Sequence, residues 1–264
     1  MKKEMAQILG QVREKAPLVQ AITNYVTIGD CANILLAFGA SPAMCEAVDE
    51  AYAFSGISGA VYINLGTLTK EQEAASLQAS LGAKAAGVPV VLDPAGCGAI
   101  PRKITVLEHL HRNGRIDLIK GNMGEIKTLA GMPSQVKGVD SLGEEPDIDE
   151  AVTLLARRYG CTVAATGRVD VLSDGQRLVR IQNGVELLTK ITGAGCMLGA
   201  LCAATAAVCP DMLSAAATAI IAMGIAGEMA FEKATLPGSF RVALMDSIYL
   251  LDGSVLMERG KCIC

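Results

Sequence analysis

No tryptophan occurs in this chain, and aromatic residues of every kind make up only 3% of it. The core must therefore be built from Ala, Val, Ile, Leu and Met, within a hydrophobic content of 51%. Lysine and arginine form no block and do not alternate with aromatics, and the formal net charge is −4. That leaves no electrostatic footing for nucleic acid, which is excluded as a partner. Histidine is almost absent. His109 and His111 stand two apart on a predicted helix, so they point to different faces and cannot share a metal. A Cys–His hydrolase dyad accordingly has little to build on. The nine cysteines are scattered and contain no paired CxxC spacing; the one close pair is Cys262 and Cys264. Free, mostly buried thiols in a reducing cytosol are the expectation. The opening MKKEMAQILGQVREKAP is charged throughout and lacks the apolar stretch of a secretory signal, which points to the cytoplasm.

One stretch is long and uncharged. Ile191 to Pro210 could span a bilayer by length, but it consists mostly of Ala, Gly, Cys and Thr between a glycine turn and Pro210-Asp211. Met212 to Gly227 has the same character. Two packed core helices account for both runs, and no membrane is expected.

Short β-branched runs alternate with helical patterns along the first two-thirds. Strands are expected at 18–23, 60–66, 88–94, 115–121 and 161–167, most of them continuous apolar runs ending in Gly, Asn or Asp. Such runs fit buried parallel strands covered on both faces. Helices are expected at 69–87, 103–114 and 147–160, each stopping at Gly. Residues 170–184 read as a β-hairpin turning at Asp174-Gly175, and the remainder as helix. The polar stretch 133–147 is expected to be a surface loop. The whole, residues 1–264, reads as one α/β domain: a largely parallel sheet flanked by helices, with an edge hairpin.

Ligands of parallel α/β sheets bind beyond the C-terminal strand ends. There this sequence places Asp93 in LDPAGCGA, Asn122 and Glu125 in KGNMGEI, and Thr166 in TGRVD. Gly193-Ala194-Gly195 then opens a helix, followed at once by Cys196. The glycines match neither a dinucleotide GxGxxG nor a Walker loop, yet a helix N-terminus with free N–H groups suits a phosphoryl group. Blander readings exist for each: Asp93 before Pro94 initiates a turn, Asn122 and Glu125 cap a helix, Cys196 packs a helix start.

Taken in order, ITNYVTIGDCANILLAFGASPAM (22–44), YINLGTL (62–68), LDPAGCGA (92–99), KGNMGEI (120–126), TGRVDVLSDG (166–175) and KITGAGCMLGAL (190–201) resemble the hydroxyethylthiazole kinase family of the ribokinase-like superfamily. The resemblance covers nearly the whole chain. It implies a ribokinase-like fold without a separate lid domain, and ATP-dependent phosphorylation of the primary alcohol of 4-methyl-5-(2-hydroxyethyl)thiazole in thiamine salvage. It further implies a homotrimer with active sites between subunits. Carried over by position, Met44, Gly193 and Asn24 would contact the thiazole. Lys120, Thr166, Asn122, Ala194 and Gly195 would serve the nucleotide, and Asp93 and Glu125 would organise Mg²⁺. Cys196 would be the catalytic group, where most sugar kinases of the superfamily have an aspartate. Two positions depart from the family: Lys120 stands where Arg is usual, giving a point charge in place of a fork. Ala194 stands where Thr is common.

Phosphoryl transfer runs largely on positioning and charge neutralisation, so Cys196 serves either as a weak base or only to orient the hydroxyl, and its thiol is expected to assist rather than be indispensable. The rival enzyme reading is another vitamin-precursor kinase, such as one acting on hydroxymethylpyrimidine. A nucleotide- or thiazole-binding protein without catalysis is the rival of a different class. A cysteine-nucleophile acyltransferase is a more distant third.

Overall fold

Six parallel strands realise the expected alternation. The computed structural model describes residues 1–133 and 147–263; most of the stretch 133–147, read above as a loop, lies outside them, as does Cys264. In chain order the elements are α1 (Lys2–Lys15), β1 (Leu18–Ile22), α2 (Ile28–Phe38), β2 (Ser41–Ala43), α3 (Val48–Ile57), β3 (Ala60–Asn64), α4 (Lys70–Ala86) and β4 (Val90–Asp93). Then follow α5 (Pro101–Asn113), β5 (Leu118–Asn122), α6 (Met123–Leu129), α7 (Asp147–Tyr159), β6 (Thr162–Thr166), β7 (Asp170–Ser173) and β8 (Leu178–Ile181). After a short 3₁₀ turn come α8 (Ala194–Ala206), α9 (Met212–Lys233), α10 (Pro237–Leu250), α11 (Gly253–Arg259) and β9 (Cys262–Ile263).

The sheet order is β2-β1-β3-β4-β5-β6-β7-β8-β9. The strands from β2 to β6 pair in parallel, and the last three join antiparallel. The hairpin β7–β8 lies at the antiparallel edge of the sheet as expected, extended by the two-residue β9, a strand that the reading of an almost entirely helical C-terminal region did not include. Along each strand the side chains divide by period two. Val19, Ala60, Tyr62 and Val91 enter a core with α1, α2, α8, α9 and α10. Val61, Ile63, Val90 and Leu92 enter a second core with α4, α5, α6 and α7.

α9 is the one helix among the described residues that is long and apolar enough to cross a membrane, and 83% of its most apolar stretch is buried. It packs against α8 and α10 as core, which explains why both small-residue runs of the sequence carry no charge.

Strand order fixes where a ligand fits. The chain leaves β1 outward to β2, then returns to the other side of β1 as β3, so the order reverses between β1 and β3. Crossover helices then leave opposite faces and open a crevice above those two strand ends. The N-terminus of α8 arrives at this crevice.

Candidate active site

Each parallel strand delivers a polar group to the crevice because the apolar run stops where the sheet meets solvent. Asn24 follows β1, while Asn64, Asp93, Asn122 and Thr166 end β3 to β6. Asn64 and Asp93 are directly paired neighbours, as are Asn122 and Thr166.

α8 starts without a side-chain cap. Its N-cap, Gly193, has φ 85°, and a Cβ there would lie 2.5 Å from Thr27 Cγ2, so only glycine fits. The backbone N–H groups of Ala194, Gly195 and Cys196 have no hydrogen-bond acceptor among the described residues. They form the open positive end of a 13-residue helix.

Cys196 in this first turn is half-buried. Its sulfur receives N–H groups from Asn24 Nδ2 at 3.1 Å and Asn64 Nδ2 at 3.4 Å. Asn24 Nδ2 also donates to Asn64 Oδ1 at 2.9 Å, and Asn24 Oδ1 accepts from Thr27 Oγ1 at 3.1 Å. Both amide protons and the carbonyl of Asn24 thus take part in hydrogen bonds within the protein, one of them to the sulfur.

Behind the sulfur runs a buried polar chain. Asn64 Nδ2 donates to Tyr62 Oη at 3.0 Å, and Tyr62 Oη donates to Asp93 Oδ2 at 3.4 Å. Lys120 Nζ meets the same Asp93 oxygen at 3.2 Å and the Gly195 carbonyl at 3.0 Å. Tyr62 reaches this position because Gly199 leaves room for its ring: a Cβ on Gly199 would lie 2.6 Å from Tyr62 Cε2. Burial favours an uncharged Lys120, but the facing carboxylates of Asp93 and Glu125 hold its ammonium charged, up to about 12. Burial pushes the Asp93 carboxyl upward, Lys120 draws it down, and Glu125 pushes it up again.

Lys120, expected at the nucleotide, is 3% exposed, and its ammonium donates to Asp93 and to the Gly195 carbonyl of α8.

Glu125 and Asn122 form the capping box that was one of the two readings offered for them. Glu125 Oε2 accepts from Asn122 N at 2.8 Å, and Asn122 Oδ1 accepts from Glu125 N at 2.9 Å. Glu125 Oε1 accepts from Gly96 N at 2.7 Å, tying the loop after β4 to α6. Asp93 Oδ1 accepts no hydrogen bond among the described residues. Two neighbouring carboxylates with unspent lone pairs fit an ion such as Mg²⁺, which keeps most of its waters and takes one or two protein carboxylates. No third ligand joins them among the described residues.

Thr166 Oγ1 donates to the Gly121 carbonyl at 3.3 Å, at the far end of the row from Cys196. Met44 lies just beyond β2, on the other side of β1 from Asn64, half-buried against the core. The network thus unites Asn24, Asp93, Lys120, Gly195 and Cys196, with Glu125 beside it. Met44 and Thr166 mark its two flanks.

Three residues of this site were not singled out in the sequence. Asn64 and Tyr62 lie inside YINLGTL, and Asn64 follows the same strand-end rule that selected Asp93. Lys103 lies in the first turn of α5, where it reads as an ordinary helix residue. It is 3% exposed, and its ammonium holds the carbonyls of Gly66 and Ala95, pinning the loops after β3 and β4 together.

The sequence matches the model of the hydroxyethylthiazole kinase family over residues 9–253. It is 61% identical to hydroxyethylthiazole kinase 2 of Clostridium botulinum (strain Loch Maree / Type A3), over 96% of this chain and 97% of that one. The solved structure of the hydroxyethylthiazole kinase protein of Pyrococcus horikoshii OT3 superposes with a TM-score of 0.91 at 39% identity, covering 98% of both chains. A ribokinase-like superfamily protein of Enterococcus faecalis V583, 13% identical, has a TM-score of 0.63 over 89% of this chain and 87% of its own; that likeness shows the fold alone. With a ribokinase-like sheet, a kinase-type helix start at its crevice and relatives of this identity over nearly the full length, the chain belongs to the hydroxyethylthiazole kinase family.

Proposed function

We propose that this chain transfers the γ-phosphoryl group of ATP to the primary alcohol of 4-methyl-5-(2-hydroxyethyl)thiazole in thiamine biosynthesis. The observation that carries the reading is the Cys196 sulfur, held as a hydrogen-bond acceptor beside the uncapped N-terminus of α8 in a chain of this family.

The free N–H groups of Ala194, Gly195 and Cys196 receive the phosphoryl oxygens, where the helix end favours negative charge. Gly193 and Met44 border the thiazole. The alcohol stands against Cys196 Sγ, which takes its proton as the oxygen bonds to the γ-phosphorus. The bond from phosphorus to the β,γ-bridging oxygen breaks, and ADP leaves with the electron pair. Thr166 and Asn122, on the outer strand ends, border the nucleotide. Lys120 holds Asp93 and the Gly195 carbonyl in place. Asp93 and Glu125 would hold Mg²⁺, which when bound neutralises charge on the transferring phosphates.

A homotrimer in the cytoplasm completes the reading. Tyr25 and Val26, next to Asn24, are 57% and 62% exposed. α2 and α10, joined by the Arg241–Asp30 ion pair, expose Leu36, Val242 and Tyr249. Exposed apolar side chains on these two packed helices support a contact between subunits.

Purified protein with Mg-ATP should release ADP only when the thiazole alcohol is present, with the phosphorylated thiazole detected by mass. ADP release that ignores the alcohol would contradict the proposal.

A further inference from the structure

One fixed donor determines the direction of every hydrogen bond around Cys196. The Gly66 backbone N–H can only donate, and it meets Asn64 Oδ1 at 2.9 Å. Asn64 must therefore turn Nδ2 toward Tyr62 Oη at 3.0 Å and Cys196 Sγ at 3.4 Å. The same Oδ1 takes an Asn24 N–H at 2.9 Å, so Asn24 presents Nδ2 on this side and its second proton reaches Sγ at 3.1 Å. All four amide protons are assigned, and neither amide can flip without setting two donors or two acceptors face to face. Asn24 and Asn64 are 4% and 3% exposed, so water does not compete for these bonds.

Cys196 Sγ thus meets two N–H donors and no acceptor among the described residues. A proton on sulfur has no partner inside the network and is directed to the open crevice. Resting on the phosphoryl-transfer reading above, we propose that Asn24 and Asn64 form an amide clamp that fixes the Cys196 sulfur as an acceptor, which makes Asn64 a positioning residue of the reaction. The clamp therefore holds the sulfur as an acceptor and aims toward the crevice the lone pair that receives the alcohol proton. Asn64 lies 132 positions from Cys196 and touches neither alcohol nor phosphate in this scheme; it acts through the sulfur.

The clamp is tested by Asn64→Ala, which removes one donor without adding charge. Alkylation of Cys196 by iodoacetamide is followed at one fixed pH without ATP, with peptide mass spectrometry resolving Cys196 from Cys202 and Cys209. Its rate should fall about fivefold when one donor to the sulfur is lost. In the kinase assay kcat should fall while the KM for the alcohol holds. The same change should cost nothing further in a Cys196→Ala background. Asn24→Ala, which removes the other donor, should give the same result and serves if Asn64→Ala does not fold. An unchanged alkylation rate in a folded variant, or an equal kcat loss in the Cys196→Ala background, would overturn the clamp. A slowed alkylation in a protein that phosphorylates no alcohol would instead leave the clamp standing and remove the kinase reading.

Discussion

A thiol at the first turn of α8 works under different conditions from a carboxylate in the same place. A carboxylate is ionised at neutral pH, whereas an unperturbed thiol with a pKa of about 8.5 is only a few per cent thiolate. Cys196→Ala should lower kcat by about 10²-fold, the lower end of what general bases contribute, with measurable turnover remaining and both substrates still bound. Complete loss with binding intact would show that the thiol is indispensable. Asp170 supplies a second test at this scale. Its buried carboxyl, hydrogen-bonded to Gly167 N at 2.9 Å, is pushed up to about 7 by burial, against the pull of Gly167 and Lys120, from an ordinary 3.8. Between those values the folded chain keeps a proton that the unfolded chain releases, so the stability from this group is full below the lower value and is lost as pH rises through the upper one. Asp170→Asn cannot ionise and escapes that loss. Its Tm relative to the parent should therefore rise from pH 5 to pH 8, and a constant difference would contradict the assignment. Strand-end polarity pointed to Asp93, Asn122 and Thr166 from sequence alone. It did not reveal that Asn24 and Asn64 converge on one sulfur, because contacts across 172 and 132 positions leave no local signal.

Elements came through where their period was clean. β1, β3, β4 and β6 fall inside the apolar runs that announced them, β5 overruns its own by one residue, Asn122, and α4, α5 and α7 begin and end within two residues of expectation. β2 stayed hidden because it has three residues, one of them Pro42, and owes its extended form to pairing with β1. β9 stayed hidden because two residues carry no period, and their pairing with β8 is formed only in the fold. The packing of α8 onto β3 was equally silent. It hinges on Gly199, where the Tyr62 ring occupies the space of a side chain. Gly199→Ala should cost about 1–3 kcal/mol as the ring is displaced, read as a lower Tm. It should also lower kcat, because Tyr62 leaves both Asp93 and Asn64. Loss of stability without loss of turnover would separate Tyr62 from the catalytic network.

At the scale of the molecule, the topology does the positioning. One reversal of strand order puts Asn24 and Asn64 on adjacent strands, and α8 closes the crevice with its unpaired N–H groups. The apolar residues left outside, Leu36, Val242 and Tyr249, lie on helices adjoining that crevice. If the proposed homotrimer forms through this face, Val242→Glu should yield monomers by sedimentation velocity, with reduced turnover; an unchanged particle mass would contradict that contact. The chemistry itself is tested most directly by competition. With limiting Mg-ATP and equal amounts of the thiazole alcohol and hydroxymethylpyrimidine, mass spectrometry should find the phosphoryl group on the thiazole alone. Pyrimidine phosphate as the main product would keep the ribokinase-like fold and overturn the substrate.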